Sequence, residues 1–285
     1  MKKNIIAAVI AATFIVACSD NDNSLAEAEI QGFDGPVQFA DVTYDCGSER
    51  GNLGQTDYNG NVLTSSSYSL SYTPELCEII ITGNSDSIDT SNGKAMPDIR
   101  YVIPKGLLSA GQPITGSPLT TLIDAQIKSG TIGTIEEITA QVITDLYGED
   151  FVNNNSGLDP LSLARDMEAV IATLGDDDAS LVTATNHVAN DIIIFAADAE
   201  EELNIASVLT TTQAIAADVI TNKPNYPTTN SGEEIYISVN EDAAKIVYDN
   251  VEFGSDDPTN GVEDIVTPEP SDPPPPPATG ATGAS

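Results

Sequence analysis

Hydrophobic residues change their spacing once along this chain, and that change divides it. From Phe33 to about Ile114 the apolar positions recur at short, two-residue intervals: Val37 and Phe39, Val42 and Tyr44, Val62-Leu63, then Tyr68, Leu70 and Tyr72 against Ser67, Ser69 and Ser71. A period of two marks strands with one buried face. Glu78 to Thr82 and Ile99 to Ile103 are further strand segments. Turn residues separate them (Gly47, Gly51, Gly54, Asn59-Gly60, Gly83-Asn84, Asn92-Gly93), and Asn59-Gly60 is the strongest hairpin signal. The pattern predicts a small β-sandwich over 33–114.

Near Ser117 the spacing becomes helical. Ser117 suits an N-cap and Pro118 the first helical position. Leu119, Leu122, Ile123 and Ile127 follow, with Gly130 as the stop. Thr134 to Glu137 has the form of a capping box, and Ile135, Ile138, Val142, Ile143 and Leu146 line one face up to Gly148. Asp159-Pro160 opens a helix through Leu163, Met167, Val170, Ile171 and Leu174. The next, from Asp176-Asp177-Asp178 to about Leu203, is apolar on every side over Ile192 to Ala197, which predicts the central helix of a bundle. Val208 to Ile220 is another. Ile235, Ile237 and Val239 alternate like a strand, while 241–252 favours a helix. The fold class is therefore α+β and multidomain, with a β-sandwich followed by an all-α helical bundle over 117–253. Residues 254–285 are acidic and Pro-rich, with Pro273 to Pro277, and predict a disordered tail with a polyproline II stretch.

Charge narrows the partners. The chain has 44 acidic and 10 basic residues, a formal net charge of −34. Such a field repels nucleic acid and favours loosely held divalent cations. There are three cysteines. Cys46 and Cys77 form a natural disulfide pair in an oxidising compartment, closing a loop of about 30 residues for about 3–4 kcal/mol in the chain-entropy model.

Met1-Lys2-Lys3 is basic and Ile5 to Ala17 is apolar but for Thr13, too short for a span of about 20 residues. A basic start, a short apolar run and small residues before the cut describe a secretory signal over 1–17. Ile15-Val16-Ala17-Cys18 resembles the lipobox of bacterial lipoproteins. The resemblance implies cleavage before Cys18, a diacylglyceryl group on its sulfur and a palmitate-type acyl chain on its new amino group. The membrane is then a partner through the lipid, and Ser19 after the cysteine implies the outer membrane, facing the periplasm or the medium. Residues 18–32 would be the anchor and tether. Gly54-Gln55-Thr56-Asp57-Tyr58-Asn59-Gly60-Asn61, after Tyr44-Asp45-Cys46-Gly47, resembles the hairpin of carboxypeptidase-regulatory-like and Cna-B-like β-sandwiches, which are non-catalytic modules of surface lipoproteins. Cna-B-like domains often carry a Lys–Asn isopeptide. Only Lys94 and Lys105 are candidates for it here. Ser117 to Leu122 resembles the junction that joins such modules to helical regions.

Little in the chain points to chemistry. His187 is the single histidine and reads as a packed or surface residue of a helix. No nucleophile elbow, phosphate loop, zinc spacing or dinucleotide fingerprint occurs. Asp57, Asn59 and Asn61 have the opening spacing of a calcium loop, but Gly60 stands at its fourth position and Tyr68 at its twelfth. Asp176, Asp177 and Asp178 are candidate calcium ligands that also suit a helix start. Tyr44, Tyr58, Tyr68, Tyr72 and Tyr101 fall in the β region and suggest a sugar-binding face. The expectation is a non-enzymatic envelope or cell-surface lipoprotein without a cofactor, structural or adhesive, with an envelope protein or polysaccharide as partner. A carbohydrate- or calcium-binding module is the alternative. A hydrolase using paired carboxylates is the third reading.

Overall fold

The computed structural model describes residues 28–64, 67–198 and 204–277. The segment expected to be a signal, 1–17, and the expected lipidation site Cys18 lie outside them. The architecture is mixed α+β, a strand-rich region of several small sheets followed by a helical region.

Strand β1 (Glu29–Gly32) is the centre of a three-stranded sheet, pairing antiparallel with β5 (Asn61–Leu63) and parallel with β9 (Ile114–Gly116). The expected tether over 18–32 therefore ends inside the fold. Ala28, Ile30 and Gly32 alternate inward beneath the polar residues between them, and Ile30 is fully buried. A four-stranded antiparallel sheet has the order β4-β3-β6-β8, formed by β3 (Asp41–Asp45), β4 (Arg50–Gln55), β6 (Glu78–Thr82) and β8 (Arg100–Ile103). The two sheets meet at Ile81. Its side chain lies 3.5 Å from where a Cβ on Gly32 would be and 2.5 Å from one on Gly116. At Gly116 only bare backbone leaves room for the branched side chain, while at Gly32 a Cβ would be in ordinary contact with it. Short strands β2 (Val37–Gln38) and β7 (Ile88–Asp89) pair beside them. Phe39 leaves the predicted alternation, taking φ 64 and standing 42 % exposed.

Two local expectations need correction. Tyr68 to Tyr72 is a helix, α1, not a strand: Ser67 accepts the Leu70 amide at its hydroxyl and caps the turn. Asn59-Gly60 does turn the chain, with Gly60 at φ 79, but it joins strands of different sheets. Asp57 accepts the Asn59 and Asn61 amides, both at 2.9 Å, and so closes the turn itself.

Helices α2 (Pro118–Lys128) and α3 (Ile135–Asn154) begin at the predicted capping residues, each with a reciprocal capping box. Gly148 breaks α3 (φ 85, ψ 164), but a further turn follows it, and Phe151 packs on Tyr147 across the break. The helix expected after Asp159 is two short ones, α4 (Pro160–Arg165) and α5 (Met167–Ile171), because Asp166 leaves helical geometry to cap Ala169. Helix α6 (Asp176–Asp198) is the central one. Val182, Ala184, Val188, Ala189 and Ile192 are buried, and it packs on α2, α3, α7 (Ile205–Asn222) and β10 (Ile235–Val239). Helix α8 (Glu241–Glu252) matches the predicted 241–252.

The segment after 253 is ordered further than its composition suggests. Val266–Pro270 forms β11, antiparallel to β10. Its prolines sit on a two-stranded ribbon, where one side of the strand has no ladder partner. Beyond it, the Asp272 amide donates to the Asn92 carbonyl at 2.8 Å. Residues 278–285 lie outside the described ones. One hydrophobic core runs from Ile30 through Ile81, Leu122, Val188 and Val219 to Val247.

Candidate functional site

Three pieces of chain meet at a buried polar cluster. Phe33 and Pro36 bridge a tight turn, with Gly35 at φ 77, that holds Asp34 inward. The loop after β7 runs Asp89-Thr90-Ser91-Asn92-Gly93-Lys94. Asp89 organises it by accepting the Ser91 amide (2.8 Å), the Ser91 hydroxyl (2.7 Å) and the Asn92 side-chain amide (2.5 Å). A Cβ on Gly35 would fall 2.3 Å from Asp89 Oδ1, so the two turns fit only with glycine there. Helix α6 supplies Asn186, His187, Asn190 and Asp191, which share one face at i, i+1, i+4 and i+5.

His187 is locked. Its Nε2 lies 2.8 Å from the Asp34 carbonyl, which can only accept, so Nε2 carries the proton. Nδ1 then accepts from the Tyr226 hydroxyl. Burial, with Lys94 nearby, pushes its pKa down to about 3. The imidazole is neutral at pH 7, so the 3.9 Å approach of Nε2 to Asp34 Oδ1 is not an ion pair. Asp34 is held well above the ordinary carboxylate range by burial, partly offset by Lys94. Asp89 is raised to about 6 by burial, against its hydrogen bonds to Ser91 and Asn92. Lys94 donates to Asp191 Oδ1 at 2.8 Å, to Oδ2 at 3.1 Å and to the Ile237 carbonyl at 3.1 Å. Tyr101 closes the cluster, its hydroxyl donating to Asn190 at 3.0 Å.

Beside the cluster is a cavity of about 290 Å³. Its apolar wall comes from Phe33, Pro36, Ile171, Pro227 and Ile235, its polar wall from Asp34, Asn92, Asn186 and Ser271, with Glu168 and Glu234 exposed at the edge. Among the described residues, seven buried side-chain polar atoms have no hydrogen-bond partner, and three belong to this lining: Asp34 Oδ2, Asn186 Oδ1 and Ser271 Oγ. Buried polar atoms are paired as a rule, so the concentration of free ones here marks the site.

The expected site residues fall elsewhere. Asp176 and Asp177 are exposed in the first turn of α6, while Asp178 accepts from Asn155 at 2.9 Å. Among the described residues no three His, Cys, Asp or Glu side chains are arranged to hold a metal. Cys46 and Cys77 form a disulfide. Of the five tyrosines of the suggested sugar face, Tyr101 is buried, Tyr44 is bonded to Glu49 and Tyr58 to the Pro274 carbonyl. Only Tyr68 and Tyr72 are exposed, at 67 % and 50 %, with ring centroids 4.4 Å apart. Sequence reasoning set His187 aside and passed over Asp34, Asp89 and Tyr226. The available signal is a lone histidine at i+1 from Asn186 on the long central helix. No protein-family model, curated protein or solved structure matches this chain.

The cluster makes a pH prediction with two signs. The folded-state pKa of His187 is depressed, so its contribution is complete above about 6.5 and is lost as pH falls toward 3. Asp89 is raised, so the folded state gains relative to the unfolded one as pH falls from about 6 to 3.8. Urea midpoints at pH 7.5 and 4.5 should therefore drop less in His187→Gln than in the wild type, and more in Asp89→Asn. Equal drops in all three proteins would contradict the assignment.

Proposed function

We propose that this chain is a non-enzymatic lipoprotein of a bacterial envelope, carried on Cys18, with a structural or adhesive role. The observation that carries the reading is the Cys46–Cys77 disulfide, which fits an oxidising, extracytoplasmic compartment. It agrees with the lipobox-like Ile15 to Cys18 segment. No helix among the described residues is long and apolar enough to cross a membrane, so the lipid would supply the attachment. The non-enzymatic part is supported by His187, whose two ring nitrogens are both engaged and which is not free to act as a base. For adhesion, Tyr68, Tyr72 and Leu76 stand exposed on α1 and the turn after it, inside the loop that the disulfide closes. Exposed aromatic rings of this kind are suited to protein or polysaccharide contact. The family resemblance rests on the Gly54 to Asn61 segment and adds the expectation of a surface module.

The test is metabolic labelling with an alkyne fatty acid, followed by protease shaving of intact cells. Wild-type protein should take the label and sediment with membranes. Cys18→Ala should do neither. Release of peptides from intact wild-type cells would support the adhesive role. Protection until the outer membrane is breached would reject it and leave a periplasmic structural role. A Cys18→Ala protein that is still labelled and membrane-bound would sink the lipoprotein reading.

A further inference from the structure

Helix α1 stands where the chain enters its fold. Ala28 and Thr64 are bonded twice, the Ala28 amide donating to the Thr64 hydroxyl at 2.8 Å and the Thr64 amide to the Ala28 carbonyl at 3.0 Å. The Ser67 amide donates to the Thr64 carbonyl at 3.1 Å, and Ser67 caps α1. One turn of chain therefore separates the entry point from Tyr68. The helix has a fixed base, because Glu49 accepts the Ser67 hydroxyl at 3.1 Å and the Ser69 amide at 2.9 Å. Tyr68 and Tyr72, at i and i+4, share one face with their ring centroids 4.4 Å apart, and both still stand exposed. Leu63 on β5 and Leu76 after the helix are exposed too. Cys18 is ten positions before Ala28, a reach of about 35 Å at most. A lipid on Cys18 would hold this end of the molecule close to the bilayer.

We propose that Tyr68 and Tyr72 lie in the headgroup layer of the bilayer that carries the lipid, docking the fold on the membrane by its α1 end. The proposal rests on the lipoprotein reading for its anchor, and it leaves adhesive contacts to other surfaces. Size favours this occupant. A fully covered aromatic side chain buries about 150–250 Å². Two half-exposed rings therefore fall well short of the roughly 1,000 Å² that a stable protein interface requires. So small a contact is effective only against a target already held nearby, where a short linker supplies an effective concentration on the order of millimolar. The bilayer is that target, and tyrosine is suited to its interface, with an apolar ring and a polar tip. Charge does not draw this end to the membrane. The basic side chains near it, Arg50 and Lys105, are outnumbered by Asp45, Glu49 and Glu75. The attraction is therefore that of the rings for zwitterionic lipid, and salt leaves it unchanged.

The chain contains no tryptophan, so a single introduced indole is a unique reporter. The full chain carrying Tyr68→Trp is purified from membranes and reconstituted on phosphatidylcholine vesicles, with and without bromine on the upper acyl carbons. Flotation measures attachment. Phe253→Trp, at the exposed end of α8, is the reference. Brominated lipid should quench Tyr68→Trp about threefold more strongly than Phe253→Trp, equally in 150 mM and 500 mM NaCl. Adding Tyr72→Ser to Tyr68→Trp should reduce that quenching by about half. Protein that floats but shows no excess quenching at Tyr68→Trp would overturn the docking and leave the anchor intact. Protein that does not float would overturn the anchor and the docking with it. Quenching that disappears in 500 mM NaCl, or that is indifferent to Tyr72→Ser, would also overturn the docking.

Discussion

Replacing Lys94 with alanine is expected to destabilise the protein by about 3–5 kcal/mol at pH 7, the cost of breaking a buried ion pair from one side. The Lys94 and Asp191 side chains are only 12 % and 15 % exposed. Asp191 also accepts the Val239 amide at 2.8 Å, so it holds α6 to β10 as well as to the Asp89 loop. Without the lysine, Asp34 and Asp89 lose the charge that lowers their pKa values. Both carboxyls would then hold protons to higher pH in the folded state. A raised folded-state pKa lowers stability as pH rises through it, so the deficit of the variant should be smaller at pH 5 than at pH 7. Urea unfolding at the two pH values measures this. Asp191→Asn in the same chain should recover part of the loss, because it removes the stranded charge. A deficit under about 1 kcal/mol, or one that grows toward pH 5, would show that the cluster is solvated and not charge-balanced by Lys94.

Removing the disulfide is the second large effect. Cys46 and Cys77 follow and precede paired residues of β3 and β6, in which Asp45 lies opposite Glu78. The ladder already holds this corner, so the bond acts mainly on the unfolded chain. Closing a 31-residue separation contributes about 3–4 kcal/mol in the chain-entropy model. The Cys46→Ala/Cys77→Ala protein should melt about 10 °C lower. The loop it releases contains α1, so hydrogen exchange should rise first at Leu70 and Ser71. A melting point unchanged within about 2 °C would mean that the unfolded chain is already confined there.

The helical half was legible because its signals are local and redundant. At Ser117 and Thr134 a cap, its reciprocal partner and the apolar face agree. Residues 68–72 were misleading because five residues satisfy both periods: Tyr68, Leu70 and Tyr72 alternate, yet Ser67 and Ser71 close a helical turn. The tether is misjudged because Ile30 is the one large apolar residue between Ala26 and Gly32, and what buries it is β9, more than 80 positions away. The site was illegible for the same reason. Asp34, Asp89, His187 and Tyr226 share no sequence neighbourhood, and no spacing connects an aspartate in a turn to a histidine 153 residues later.

The parallel pairing of Ile30 with Ile114, and the hydrogen bonds from Asp272 to Asn92 and from Tyr58 to Pro274, have a consequence for the order of events in biosynthesis. The first strand cannot take its place until more than a hundred residues have been made. The loop that carries Asn92 is not finished until nearly the last have emerged. Long-range pairing of this kind slows folding. These contacts therefore close late in synthesis, and a copy cut short before Asp272 would lack the bond that ties the end of the chain to the Asn92 loop.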